Sequence, residues 1–206
     1  MSDENEILFN RWVLVPLEAL RAVPDGDGAF GALAMSFGLY ERFLSSRIHS
    51  RGESANDGAR YEEASKDFDG QVSPQDFKSF WDMYRVGVQH YFHPKHFVKG
   101  ADKTRWGWDM SESPEYQPYP VVQQKENDLF IIAINPWAFV YHVVNRWKEY
   151  PELMNELSAT KLGEVRPAPA PVTAETHYST WTSPAPSTYT VSPIPPNYPS
   201  TGKWPG

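Results

Sequence analysis

The chain has 206 residues, 15% of them aromatic, with no cysteine and a formal net charge of -7. That length allows a domain with a substantial core, while the lack of cysteine excludes a disulfide framework, a thiolate metal site and a cysteine nucleophile. The acidic balance argues against attraction of nucleic acid or anionic lipid over the whole surface and leaves only a local basic site.

The acidic opening, Met1-Ser-Asp-Glu-Asn-Glu6, is unlike a secretory signal. No apolar run approaches about 18 residues, so a soluble cytoplasmic protein with no membrane partner is expected. Over residues 7–23, Trp12, Val13, Leu14, Val15, Leu17 and Leu20 surround Pro16, which predicts a helix kinked or started at the proline. Pro24-Asp-Gly-Asp-Gly28 is a turn. The stripe Phe30, Leu33, Phe37, Tyr40, Leu44, Ile48 predicts a long helix over 29–49, and Gly31, Ala34 and Gly38 along it would admit a close helix neighbour. Residues 51–70 are polar and weakly patterned and read as a mobile surface segment, with a short helix over 59–68.

Ser73, Pro74 and Asp76 form a helix start, with a capping hydroxyl, a proline in the first turn and a carboxylate near the positive end of the dipole. Phe77, Phe80, Trp81, Tyr84, Val88 and Tyr91 recur at helical spacing as an inward face, and Pro94 ends the helix near His93. Arg105 to Trp108 reads as a short strand, and 121–134 as a β-hairpin whose second strand, Leu129 to Ile134, is buried. Asn135-Pro136 starts another helix with Trp137, Val140, Val144 and Trp147 inward, and Pro151 restarts it. Beyond Val165 the chain turns rich in proline, serine and threonine, which predicts a disordered tail over 164–206.

The reactive side chains concentrate between Ser73 and His96. His90-x-x-His93-x-x-His96 offers three imidazoles, but Pro94 takes His96 off the helix and no HExxH pattern is present, so no metal is assigned. Ser73 and Ser79 lie in no G-x-S-x-G elbow, which leaves no serine nucleophile. Metal-independent RNA cleavage needs a group to take the 2′-OH proton, an acid for the leaving 5′-oxygen and a fixed cation beside the phosphorane. Arg85 and His90 supply that minimum set.

Arg85-Val-Gly-Val-Gln-His90 resembles the R-x4-H motif of the HEPN superfamily, and Phe80-Trp81-x-x-x-Arg85-x-Gly87-x-x-His90 resembles its bacterial members. The resemblance covers roughly 7–157. It implies an up-down helical bundle over 1–163, here with a small β-hairpin insertion around 105–134. It further implies a homodimer that cleaves RNA to 2′,3′-cyclic phosphate ends without a cofactor, as a toxin or anti-phage component with an antitoxin or defence-system partner. Arg85 and His90 are its catalytic residues, and Gln89, His93 and Asp82 are secondary substrate-binding candidates. Val86 replaces an often polar residue, and Phe92 stands where one toxin branch carries a tyrosine. The alternative is a catalytically inactive HEPN-like module binding protein or nucleotide, with Trp106, Trp108, Tyr116 and Tyr119 as a contact surface.

On an ideal helix Arg85 and His90 lie about 140° apart, so they share no narrow face unless the last turn loosens or a second subunit completes the site. Ordinary structural roles for the pair are an ion pair of Arg85 with Asp82 or Glu62 and burial of His90 against a backbone carbonyl. A local basic rim is expected from Arg42, Arg47, Arg51, Lys95, Lys99, Lys103 and Arg105.

Overall fold

A computed structural model describes residues 3–91, 93–100 and 103–159. The chain divides into two units, Met1–Gly163 and Glu164–Gly206. The second, and with it the expected tail, lies outside the described residues, as does Phe92. The first unit is mainly helical and carries a small four-stranded sheet. No described helix is long and apolar enough to cross a membrane.

Helix α1 (Asp3–Phe9) runs through a π turn (Asn10–Leu14) into α2 (Val15–Arg21). The π turn closes with Val15 N–H on the Asn10 carbonyl. It widens the backbone just before Pro16, where the ring would otherwise meet the preceding turn. Helix α3 (Gly28–His49) is about 33 Å long. Close approach along its small residues occurs at the N-terminal end, where a Cβ on Gly28 would collide with the Leu20 carbonyl and one on Gly31 would sit 2.9 Å from the Leu20 side chain. Gly38 faces open space. Helix α4 (Asp57–Asp67) is capped by Asn56, whose side chain accepts from Ala59 N–H at 3.0 Å.

The Ser73 start forms as read, with Ser73 Oγ accepting from Asp76 N–H at 3.0 Å. From there α5 (Pro74–Phe80) leads through a second π turn (Trp81–Arg85) into α6 (Val86–Tyr91). Phe77, Phe80, Trp81, Tyr84 and Val88 are buried. Tyr91 is 60% exposed and leaves the expected inward face. Behind it the chain folds back along the helix, with Lys95 N–H donating to the Met83 carbonyl at 3.1 Å. This return is possible because residue 87 is glycine: a Cβ there would stand 2.6 Å from Lys95 N and 2.7 Å from the His93 carbonyl oxygen.

The sheet is larger than the hairpin expected. Strands β1 (Phe97–Lys99), β2 (Thr104–Met110), β3 (Val121–Glu126) and β4 (Leu129–Ile134) lie in the order β1-β2-β4-β3. The hairpin β3–β4 is antiparallel, with a bulge between Gln124 and Glu126, but β2 pairs with β4 in parallel from Arg105–Leu129 to Met110–Ile134. That pairing is long-range and invisible to local pattern. Tyr84 joins sheet to helices, its buried hydroxyl lying 2.9 Å from the Asp109 and 2.8 Å from the Ile132 carbonyl oxygens.

Helix α7 (Pro136–Glu149) starts at Asn135, which accepts from Ala138 N–H at 2.9 Å, and α8 (Pro151–Ala159) follows. The core is a knot of rings: Phe37, Phe80 and Phe139 meet pairwise at 5.6–5.7 Å, with Tyr40 5.5 Å from Phe139. All four are fully buried, each contributing roughly 2–3 kcal/mol from its apolar area. Trp147 Nε1–H donates to the Leu39 carbonyl at 2.8 Å and fixes α7 along α3.

Replacing Gly87 with Ala forces backbone apart at the return, so Gly87→Ala is expected to cost about 1–3 kcal/mol. Urea unfolding measures this, and unchanged stability would mean that the 93–95 backbone does not lie on residue 87.

Candidate functional site

Arg85 closes the second π turn, and Gln89 and His90 follow on α6. The arginine is 30% exposed, and its Nη2 lies 3.4 Å from Glu41 Oε2 on α3, a partner other than the Asp82 or Glu62 expected. Glu41 is shared, since Arg60 reaches its other oxygen at 2.9 Å. The Arg85 Nε is buried and makes no hydrogen bond among the described residues. Asp82 pairs with Lys78 at 2.6 Å, one helical turn back.

His90 and Gln89 are exposed and have no side-chain hydrogen bond among the described residues. His90 is therefore not the buried, backbone-bonded imidazole that its structural role required. His93 is exposed too, with Nδ1 2.8 Å from the Pro94 carbonyl oxygen. His96 turns to the sheet, its ring 6.0 Å from Trp108. Arg85 and His90 thus flank the last helical turn without touching.

Three members of the expected basic rim are diverted from it. Arg105 is neutralised by Asp128 at 3.0 Å and Glu126 at 2.9 Å, and Arg47 and Arg51 turn to buried carboxylates. The aromatic contact surface is also corrected: Trp106, Trp108 and Tyr119 pack on the core, and Tyr116 donates to Asp109 at 2.6 Å, a bond that with burial raises its hydroxyl to about 12. An apolar groove of about 320 Å³ lined by Ile7, Phe9, Leu14 and Met154, with Glu6 and Lys148 beside them, contains none of the expected side chains.

The strongest polar constellation is centred in residues 51–70, whose polar, weakly patterned sequence resembles a surface segment. Glu63 and Asp67 on α4 are 1% and 4% exposed. Asp67 accepts from Tyr40 at 2.9 Å and Arg47 at 3.3 Å, with His142 Nε2 at 2.7 Å and Arg146 Nε at 2.9 Å. Glu63 meets Arg47 and Arg51, each at 2.8 Å. His142 also stacks on Phe68 at 4.5 Å. Burial pushes the Asp67 carboxyl up, but the bonds and charges of His142, Arg146 and Tyr40 outweigh it and hold it below the usual carboxylate range. Burial, then Asp67, raises the Tyr40 hydroxyl well above its ordinary value.

A signal was available. Arg47 and Arg51, Glu63 and Asp67, and His142 and Arg146 are like-charged or co-basic residues four apart. Such pairs disfavour an isolated helix, so partners on other helices are implied. Most of the polar atoms around Asp67 and Glu63 are engaged in these contacts, while Arg146 Nε and Glu63 Oε1 are held by charge alone, without a hydrogen bond among the described residues, and the network reads as a clamp of α3, α4 and α7.

No family model matches the sequence, and no curated protein or solved structure matches it either.

Removing the carboxylate strands several cations, and because Arg47 and Arg146 can turn to water, Asp67→Ala is expected to cost about 3 kcal/mol, the low end for a broken buried pair. With the folded pKa depressed, the Asp67 contribution is present above the ordinary carboxylate value of about 4 and is lost as pH falls below it. Urea titrations across that range should show the loss in wild type and a flatter acid limb in Asp67→Asn; equal acid limbs would remove Asp67 from this role.

Proposed function

We propose that the chain is a HEPN-like endoribonuclease that works as a homodimer without metal, in a toxin–antitoxin or anti-phage setting. The observation that carries this reading is the exposed His90, free of hydrogen-bonding partners among the described residues, one turn and a half beyond Arg85 on the helix bearing the motif. In the proposed reaction one His90 takes the proton from the ribose 2′-OH, and the 2′-oxygen attacks phosphorus. The 5′-oxygen leaves with a proton from the second copy's His90, giving a 2′,3′-cyclic phosphate and a 5′-OH. Arg85 holds a nonbridging oxygen as charge develops on the phosphorane. This reading assigns substrate holding to Gln89 and His93, which are exposed on either side of His90. The π turn that ends at Arg85 adds weight, because such turns occur often at functional positions.

The Arg85–Glu41 contact favours a second reading, a catalytically silent HEPN-like module binding nucleotide or protein, since a half-neutralised guanidinium grips phosphate less well. Glu41 therefore serves as a discriminator.

With EDTA present, wild type is expected to cut RNA to cyclic phosphate ends, and Arg85→Ala and His90→Ala each to slow cutting by about 100-fold or more. Glu41→Gln should preserve or raise the rate. RNA left intact by both wild type and Glu41→Gln would rule out the enzyme and leave the binding module.

A further inference from the structure

One row of paired positions across the sheet is aromatic on three successive strands: Phe97 on β1 pairs with Trp106 on β2, and Trp106 with Phe130 on β4. Their rings stack at 5.8 Å and 25°, then at 5.1 Å and 19°. The row stops at the fourth strand, where Gln124 pairs with Phe130. Gln124 is exposed, and its amide donates along the hairpin to the Asn127 carbonyl at 3.4 Å. Phe97 and Trp106 pack against the core, whereas Phe130 does not belong to it. Trp106 is the ring partner of Phe130 among the described residues, so the outer face of that phenyl ring meets no further ring.

At the other end, Lys99 Nζ stands 4.5 Å from the Phe97 ring centre and 5.6 Å from that of Trp106. Its hydrogen-bond partner is Ser79 Oγ at 3.5 Å, and no described carboxylate lies within ion-pair distance. Burial lowers its pKa, with Asp82 opposing and the nearby Lys78 and Lys95 adding to the fall. Three lysines beside one carboxylate, itself taken by Lys78, make a basic spot on an otherwise acidic chain. The spot is joined to the motif helix through the Lys95–Met83 backbone bond.

We infer that this row is a stacking site for unpaired RNA, with a base on the outer face of Phe130 beside Gln124 and a phosphate of the same strand on Lys99. Base-on-ring stacking with lysines tracking the backbone is how proteins hold single strands, and a duplex, its bases covered by their neighbours, has none to offer. The strands bearing Phe130 and Lys99 lie about 10 Å apart across the sheet, a span that a short stretch of one strand covers. The inference rests on the ribonuclease reading only for the choice of RNA, and it gives that reading a substrate class.

The test is fluorescence anisotropy with a short labelled single-stranded RNA, the same RNA annealed to its complement, and an abasic strand of equal length. The full chain carries His90→Ala so that the probe survives, and wild-type cleavage is followed separately. The single strand is expected to bind about tenfold or more tightly than the abasic strand, and more tightly than the duplex. Lys99→Gln and Phe130→Ala should each weaken it severalfold. The abasic strand and Lys99→Gln leave the aromatic row intact and decide the matter if Phe130→Ala misfolds. Preferential single-strand binding without wild-type cleavage would uphold the stacking site and sink the nuclease. Equal binding of all three probes, no binding, or binding indifferent to Lys99→Gln would overturn the stacking site, whether or not wild type cleaves.

Discussion

The Asp67 carboxylate is the constraint on which the helical arrangement depends. It lies on α4 with no side-chain exposure, and a charge in that position is tolerable only when several donors meet it at once. Those donors come from α3 through Tyr40 and Arg47 and from α7 through His142 and Arg146. The requirement fixes both the depth and the axial position of α4 against the other two. The ring knot of Phe37, Phe80 and Phe139 tolerates small slides; a carboxylate with four named partners does not. Apolar burial supplies most of the driving force, and the ionic cluster ties α4 to α3 and α7 at fixed points.

The helices and their ends were legible in the sequence where a local rule governed them. Ser73 and Asn135 cap as their side-chain chemistry requires, and the stripe on α3 is buried from Leu33 to Ile48. Legibility failed where the deciding partner is distant. The stretch 51–70 looks solvated because its acids and cations are written in the same alphabet as a surface, and only like-charged spacing hinted otherwise. The parallel pairing of β2 with β4 spans a loop and a strand, so no short window contains it.

The same division runs through the candidate site. Arg85 and His90 stand out in the sequence through type and spacing, and both come to the surface of one helix. Glu41, which engages Arg85, is forty-four positions away in the chain, and the π turn before Val86 has no proline to announce it. The aromatic row was half visible. Trp106 drew attention as a large ring, but its neighbours Phe97 and Phe130 became neighbours only through sheet register.

Gly87 has a mechanical consequence. Because backbone lies directly on backbone at that residue, the end of α6 and the approach to β1 cannot slide past one another as two side-chain-coated elements can. The contact ties the helix that bears His90 to the stretch that leads into Lys95. Any rotation of α6 backbone about its axis at Gly87 has to carry the 93–95 backbone with it.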